Sequence, residues 1–232
     1  MKLQYLGDSR DSFKWDLLHY LVTECDFARL YFVPFLTPDD RERTDGNTPP
    51  HWFPCRQEIL TFNRSLRESR DLNDIGDLGT LDARCPFEVP LFHPERYVEP
   101  GLGRGRYLVD FEPQTLDKTL VFLDPDNGFE TDTQRSVKWV RHSEINDTLL
   151  RIPEHSAIAV YQHRPRFQSW EVKFPLLFAD LKYAPFAFAI YESNLAFVLL
   201  SKSEETHKRL TGATQRYIQS RLTHPLSVWP RE

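Results

Sequence analysis

The sequence predicts an α/β fold, a mainly parallel sheet covered by helices on both faces with an antiparallel hairpin near its C-terminal end. Three observations predict it. Apolar runs such as residues 119–122 and 157–161 are continuous instead of alternating, so both faces of those strands are buried. Segments of helical period separate the runs, the pattern of strand–helix–strand units. Two late runs, residues 186–191 and 195–201, are parted only by Glu192-Ser193-Asn194, which suits a hairpin and is too short for a crossover.

The elements follow in order. Phe13, Leu17, Leu18 and Leu21 recur at helical spacing behind Asp11, predicting an amphipathic helix over 11–25 with Asp11 as its cap. Residues 30–36 read as a buried strand. The stretch 37–55 holds Asp39, Asp40, Asp45, Gly46 and four prolines, and is a long loop at that strand's carboxyl end. Ile59, Leu60, Phe62 and Leu66 predict a helix over 56–70. Residues 71–106, rich in Gly, Pro and Asp, form an irregular insertion with one short strand near 87–92. A strand ends at Asp124, a helix spans 143–151, and a strand over 157–161 is closed by Gln162-His163-Arg164-Pro165-Arg166. Helices over 168–182 and 204–222 flank the hairpin, which adds an antiparallel edge. This is the outline of a class I methyltransferase-like Rossmann fold, a single α/β domain over 1–232 with insertions at about 37–55 and 71–106.

Composition bounds the function. With 232 residues, 40% of them hydrophobic, the chain can bury one sizeable core and is not disordered. A net charge of −5 excludes a surface coated in positive charge, leaving only a local basic patch for nucleic acid. Cys25, Cys55 and Cys85 lie far apart without a C-x-x-C pair, so neither a disulfide framework nor a cysteine zinc site is indicated. Charges interrupt residues 1–8 before an apolar h-region forms, and no apolar run reaches the ~20 residues of a spanning helix. The expectation is a cytoplasmic protein without membrane contact.

The most informative segment is Leu123-Asp124-Pro125-Asp126-Asn127-Gly128-Phe129-Glu130, a buried strand running into an acidic, amide-bearing turn. In open α/β sheets ligands bind beyond the carboxyl ends of strands, where this turn lies. With it go Tyr5-Leu6-Gly7-Asp8 followed by Lys14, Leu36-Thr37-Pro38-Asp39 followed by Asp45-Gly46, and Tyr161-Gln162-His163. On these blocks the chain resembles an uncharacterised bacterial family, a resemblance that implies no particular activity. More distantly its order of elements is similar to the J-type ribosomal RNA adenine-N6 methyltransferases. That resemblance implies S-adenosylmethionine as cofactor, a nucleic acid or nucleotide as partner, Lys14 at the family's N-terminal lysine and Asp124-Pro125 at the start of its catalytic Asp-Pro-Pro-Tyr. Here Asp126 and Asn127 replace the second proline and the tyrosine, which removes the ring that stacks on the adenine; Phe129 is the nearest substitute.

The glycine-rich turn that lets backbone approach a cofactor is also missing, since Thr37-Pro38-Asp39-Asp40 follows the first strand. The string Gly101-Leu102-Gly103-Arg104-Gly105 precedes an apolar run instead of joining a strand to a helix, which is the wrong context for a nucleotide loop.

For methyl transfer the candidate catalytic residues are Asp124, Asn127, Lys14 and His163, and the candidate cofactor-binding residues are Asp8, Thr37, Asp39, Asp45 and Gly46. A rival is a nuclease or phosphodiesterase holding Mg²⁺ or Mn²⁺ through Asp39, Asp124 and Asp126, with Asp40, Asp45 and Glu130 near, because hard oxygen ligands suit those ions. A third reading is a degenerate Rossmann module that binds without turnover. The bland alternatives are helix caps and turns for Asp39, Asp126 and Asn127-Gly128, and a hydrogen-bonded structural role for His163. Arg164 and Arg166 suit phosphate contacts or plain surface charge, and Trp52 and Phe53 suit ligand stacking. Glu171-Val172-Lys173 mimics the E-x-K of restriction-type nucleases but falls in a predicted helix.

Overall fold

The computed structural model describes residues 1–39, 48–100, 107–108, 110–131, 133, 136–164, 168–220 and 225–230. Six strands form one sheet: β1 (Arg29–Pro34), β2 (Thr119–Asp124), β5 (Ala157–His163), β6 (Phe186–Tyr191), β7 (Leu195–Ser201) and β8 (Ser227–Pro230). The short β3 (Gly128–Phe129) and β4 (Trp139–Val140) pair in parallel as a separate ribbon. The order across the main sheet is β1-β2-β5-β7-β6-β8. β1, β2 and β5 run parallel, whereas the β5–β7, β7–β6 and β6–β8 pairs are antiparallel.

The sheet is therefore mixed, not mainly parallel. The hairpin does not form an edge either. β7 inserts between β5 and β6, where seven fully buried residues explain its unbroken apolar sequence, and the short β8, which has no alternation to betray it, takes the edge. Beyond β1, residues 88–92 run alongside, with Leu30 N–H donating to Glu88 O at 2.9 Å and Phe32 N–H to Pro90 O at 2.9 Å. That covers the other edge, as an unpaired row of donors requires.

Among the described residues five α-helices enclose the sheet: α1 (Ser9–Glu24), α2 (Gln57–Ser69), α3 (His142–Arg151), α4 (Trp170–Ala179) and α5 (Glu204–Gln219). Strand alternation divides the core. Leu30, Phe32, Leu120, Phe122, Ala159, Phe197 and Leu199 face one way and pack with Phe13, Trp15, Leu66, Leu210 and Tyr217 of α1, α2 and α5. Val33, Val121, Leu123, Ile158, Val160 and Val198 face the other way, against Ile145, Leu149, Phe174 and Leu177 of α3 and α4. Each fully buried Leu, Val or Phe contributes about 1.5–3 kcal/mol, so both layers are needed to offset chain entropy.

α1 departs from the amphipathic expectation. It contacts α2, α5 and β1, and every residue from Asp11 to His19 is buried, polar ones included. It also starts earlier than its sequence suggests: Asp8, not Asp11, is the cap, its Oδ1 accepting from Arg10 N at 2.8 Å and Asp11 N at 3.0 Å. Among the described residues no helix is long and apolar enough to cross a membrane.

Candidate functional site at the carboxyl ends of the parallel strands

Asp124 closes β2 on the face that α1 covers, and Lys14 reaches it from the second turn of that helix. The Lys14 ammonium stands 2.8 Å from Asp124 Oδ2 and 2.6 Å from Asp11 Oδ1. It also lies over the rings of Trp15, Tyr161 and Phe122, at 5.2, 5.4 and 6.0 Å from their centroids. Lys14, Asp11 and Asp124 are only 5%, 3% and 1% exposed, so this is a buried ionic cluster and not a surface pair. Asp11 accepts Gly7 N–H on its other oxygen at 2.7 Å. Gly7 is required there: its φ is +76°, and a Cβ would sit 2.4 Å from Asn63 O of α2.

From β5, Tyr161 and the part-buried His163 complete the group, the Tyr161 hydroxyl and His163 Nε2 lying 3.0 Å apart. Between the strands, the 124–130 segment turns sharply. Asn127 N–H donates to Lys138 O at 2.9 Å, and Asn127 O accepts from His163 N at 3.2 Å and Gln162 Nε2 at 3.2 Å. Gln162 Oε1 accepts Phe129 N–H at 2.8 Å, directly over Gly128, whose φ is +108°. A Cβ on Gly128 would fall 2.4 Å from that oxygen.

Burial perturbs the titrating groups. It works against the Lys14 ammonium, but Asp11 and Asp124 outweigh it and hold the amine protonated beyond the usual lysine range. Burial pushes the Asp124 carboxyl up against the pull of Lys14. Burial and the neighbouring Asp11 push Asp8 up to about 6. Burial, with the positive charges of Arg10 and Lys14, pushes His163 down to about 3, so it is a neutral imidazole at pH 7. The Tyr161 phenol is pushed up by burial.

The remaining candidates sort by their contacts. Thr37 Oγ1 donates to Asp126 Oδ2 at 3.0 Å, and the Met1 amino group and Lys2 ammonium approach the same carboxylate at 3.6 and 3.7 Å. Thr37 N–H donates to Met1 O at 2.9 Å, and Asp39 Oδ1 accepts Gln4 N–H at 3.2 Å. Residues 1–8 thus lie across the carboxyl end of β1. Glu130 accepts His142 N–H at 3.1 Å at the start of α3. Arg164 is exposed and bonds Ser193 O at 3.3 Å, Trp52 is exposed, and Phe53 stacks on Phe13 in the core with centroids 4.6 Å apart. Asp40, Asp45, Gly46, Arg166 and the Gly101–Gly105 string lie outside the described residues.

The fold therefore brings Lys14, Asp124, Asp126, Asn127, His163 and Thr37 to one edge. It spends the Asp8 carboxylate on capping α1 and ties Asp39 to residue 4. Reasoning from sequence missed Asp11, Tyr161 and Gln162 as partners. The i, i+3 spacing of Asp11 and Lys14 and the place of Tyr161 and Gln162 in one block with His163 were the available signals.

Neither implied cofactor is matched by these contacts. A cation joining Asp124 to its neighbours would have to displace the Lys14 ammonium already bound there, and Asp126 is engaged by Thr37 and two amines. Among the described residues no group of three or more His, Cys, Asp or Glu side chains is arranged to hold a metal. S-adenosylmethionine would need bare backbone after β1, and residues 1–8 cover it. No known protein family and no curated protein matches the chain.

Proposed function

We propose that the chain is a methyltransferase-like Rossmann module that binds a nucleotide, free or within a nucleic acid, and does so without S-adenosylmethionine. The ligand enters the crevice at the carboxyl ends of β2 and β5. The observation that carries this reading is the course of residues 1–8 over the end of β1, with Thr37 N–H bonded to Met1 O, on the ground a cofactor would need. The parallel β1-β2-β5 trio and the hairpin after it support the fold assignment, and beyond strand ends is where such sheets take ligands.

Three groups at this edge of the sheet suit a nucleotide. Asn127 offers an amide with donor and acceptor, His163 a neutral imidazole, and the exposed Arg10 a cation whose charge bears on both Tyr161 and His163. Asp124 and Lys14 are too deep to touch a ligand and act as positioning residues for Tyr161.

Titration of chelator-treated protein with ATP, a short single-stranded oligonucleotide and S-adenosylmethionine tests the reading. Saturable nucleotide binding that weakens tenfold or more in Asn127→Ala and His163→Gln, with no cofactor binding and no methyl transfer, is expected. Cofactor binding with methyl transfer lost in Asp124→Asn overturns it in favour of an active methyltransferase. That second reading draws on one observation, the 2.8 Å contact between Lys14, at the family's N-terminal lysine by the resemblance, and Asp124, at the start of its catalytic motif. Mn²⁺-stimulated strand cleavage abolished by chelator would instead revive the phosphodiesterase reading, against which the ammonium between Asp11 and Asp124 argues.

A further inference from the structure

On the outer face of the α3–α4 layer an apolar surface stands open to solvent. Apart from Glu171 and Lys173 every residue of α4 is apolar, so the helix has no polar side. A helix of that kind is normally buried all round. α4 is buried on one side only. Trp170, Phe174, Leu177 and Phe178 enter the core, whereas Val172 and Leu176 are 52% and 58% exposed and Pro175 and Ala179 are exposed with them. In α2 and α5 every exposed residue is polar or charged, so the open apolar stripe belongs to α4 and is not a general trait of the surface.

The stripe continues past the end of the helix. Tyr183, four residues on from Ala179, is 46% exposed, and Leu150 of the neighbouring α3 is 57% exposed. Asn146 ties the two segments together, its Nδ2 donating to Asp180 O at 2.9 Å and its Oδ1 accepting Lys182 N–H at 2.9 Å. Leu150 stands one turn further along the same side of α3. Contiguous apolar surface of this kind, rimmed by charge, marks a place of association.

The charges at the ends of the stripe say what covers it. Glu171 and Lys182 are both exposed and bracket it, with Leu176 midway between them. Two copies of α4 packed antiparallel about a two-fold axis at Leu176 bring each Glu171 to the Lys182 of the other copy. In the same register the exposed Asp180 lies across from position 173 and meets no acid. Parallel packing would set Glu171 on Glu171 and Lys182 on Lys182. A stripe with opposite charges at its two ends is complementary to itself in the antiparallel sense alone, as a closed two-fold interface requires.

We propose that this face is the interface of a homodimer, with α4 of one copy lying antiparallel on α4 of the other and Leu176 at its centre. Four half-exposed side chains make a small apolar core, so the dimer is of the weaker class, with dissociation on the order of micromolar. The inference is independent of what the carboxyl edge of the sheet binds.

Sedimentation velocity of the full chain across roughly 1–100 μM tests it. Expected is a concentration-dependent equilibrium of monomer and dimer that Leu176→Asp shifts at least tenfold towards monomer. Glu171→Lys and Lys182→Glu should each weaken the dimer at least threefold. The double variant, which remakes both pairs with their signs exchanged, should return to within about twofold of wild type. All three positions are exposed, and melting at monomeric concentration should match wild type; should Leu176→Asp fold poorly, the charge exchange decides alone. A wild type that stays monomeric throughout overturns the inference, as does a dimer indifferent to Leu176→Asp or a double variant no tighter than the single ones. Monomeric protein that binds phosphatidylglycerol vesicles and loses them in Leu176→Asp overturns it too, assigning the face to a lipid surface.

Discussion

Replacing Lys14 by Met removes the one cation that faces both Asp11 and Asp124 while keeping an apolar stem of similar length. The two carboxylates, 3% and 1% exposed, would be left with no positive partner at Lys14's position. Removing one member of a buried ion pair costs about 3–5 kcal/mol. Proton uptake limits the loss, because one proton shared by the two carboxyls restores neutrality. Raising a carboxyl from an ordinary pKa near 3.9 costs about 1.4 kcal/mol per pH unit, roughly 5.5 kcal/mol at pH 8 and roughly 2 kcal/mol at pH 5.5. The variant is therefore destabilised by about 3–5 kcal/mol at pH 8 and by about 2 kcal/mol or less at pH 5.5. The sign follows from the raised folded-state pKa: the protonated carboxyl's contribution is complete at low pH and is lost as pH rises. For a chain of this size the pH 8 loss lowers the melting temperature by roughly 6–20 °C. Thermal melts of both proteins between pH 5.5 and 8 measure it. A variant melting within about 2 °C of wild type at pH 8, with no trend against pH, would refute the view that this cluster locks α1 to β2.

Two further outcomes follow from the same edge. Gly128→Ala forces a side chain onto φ +108° and drives its Cβ to 2.4 Å from Gln162 Oε1, and urea denaturation should register a loss of about 2–4 kcal/mol from strain and the broken bond to Phe129. The same change in a Gln162→Ala background should cost less, since the clash is gone. Asp8, with its pKa raised to about 6 from 3.8, contributes stability that is complete below pH 4 and lost as pH rises to 6. Asp8→Asn, which keeps a capping side chain, should flatten that part of the pH–stability curve and gain roughly 2–3 kcal/mol over wild type at pH 7; an unchanged curve would place the titration elsewhere.

The strands were legible because a sheet buried on both faces demands unbroken apolar runs, and the bounds of β6 and β7 match them residue for residue. Helix starts were less so. Asp8 and Asp11 are equally plausible caps by type, and only the backbone conformation at Gly7, forced by contact with α2, decides for Asp8. β3, β4 and β8 are too short to carry a periodic signal, whereas the short strand expected near 87–92 is present as isolated bridges of Glu88 and Leu91 to β1.

Of the site, the sequence alone determined its place at the end of β2 and the chemical types gathered there: Asp124, Asn127 and the Lys14 and His163 that the motifs mark. Tertiary structure decided which of those groups are free. Lys14 is spent between Asp11 and Asp124, and Asp126 is held by Thr37, Lys2 and the Met1 amine. The reason is physical: residue type sets what charge a side chain can carry, but the cost of burying that charge depends on which partners, here up to 110 residues away, fold to within 3 Å of it.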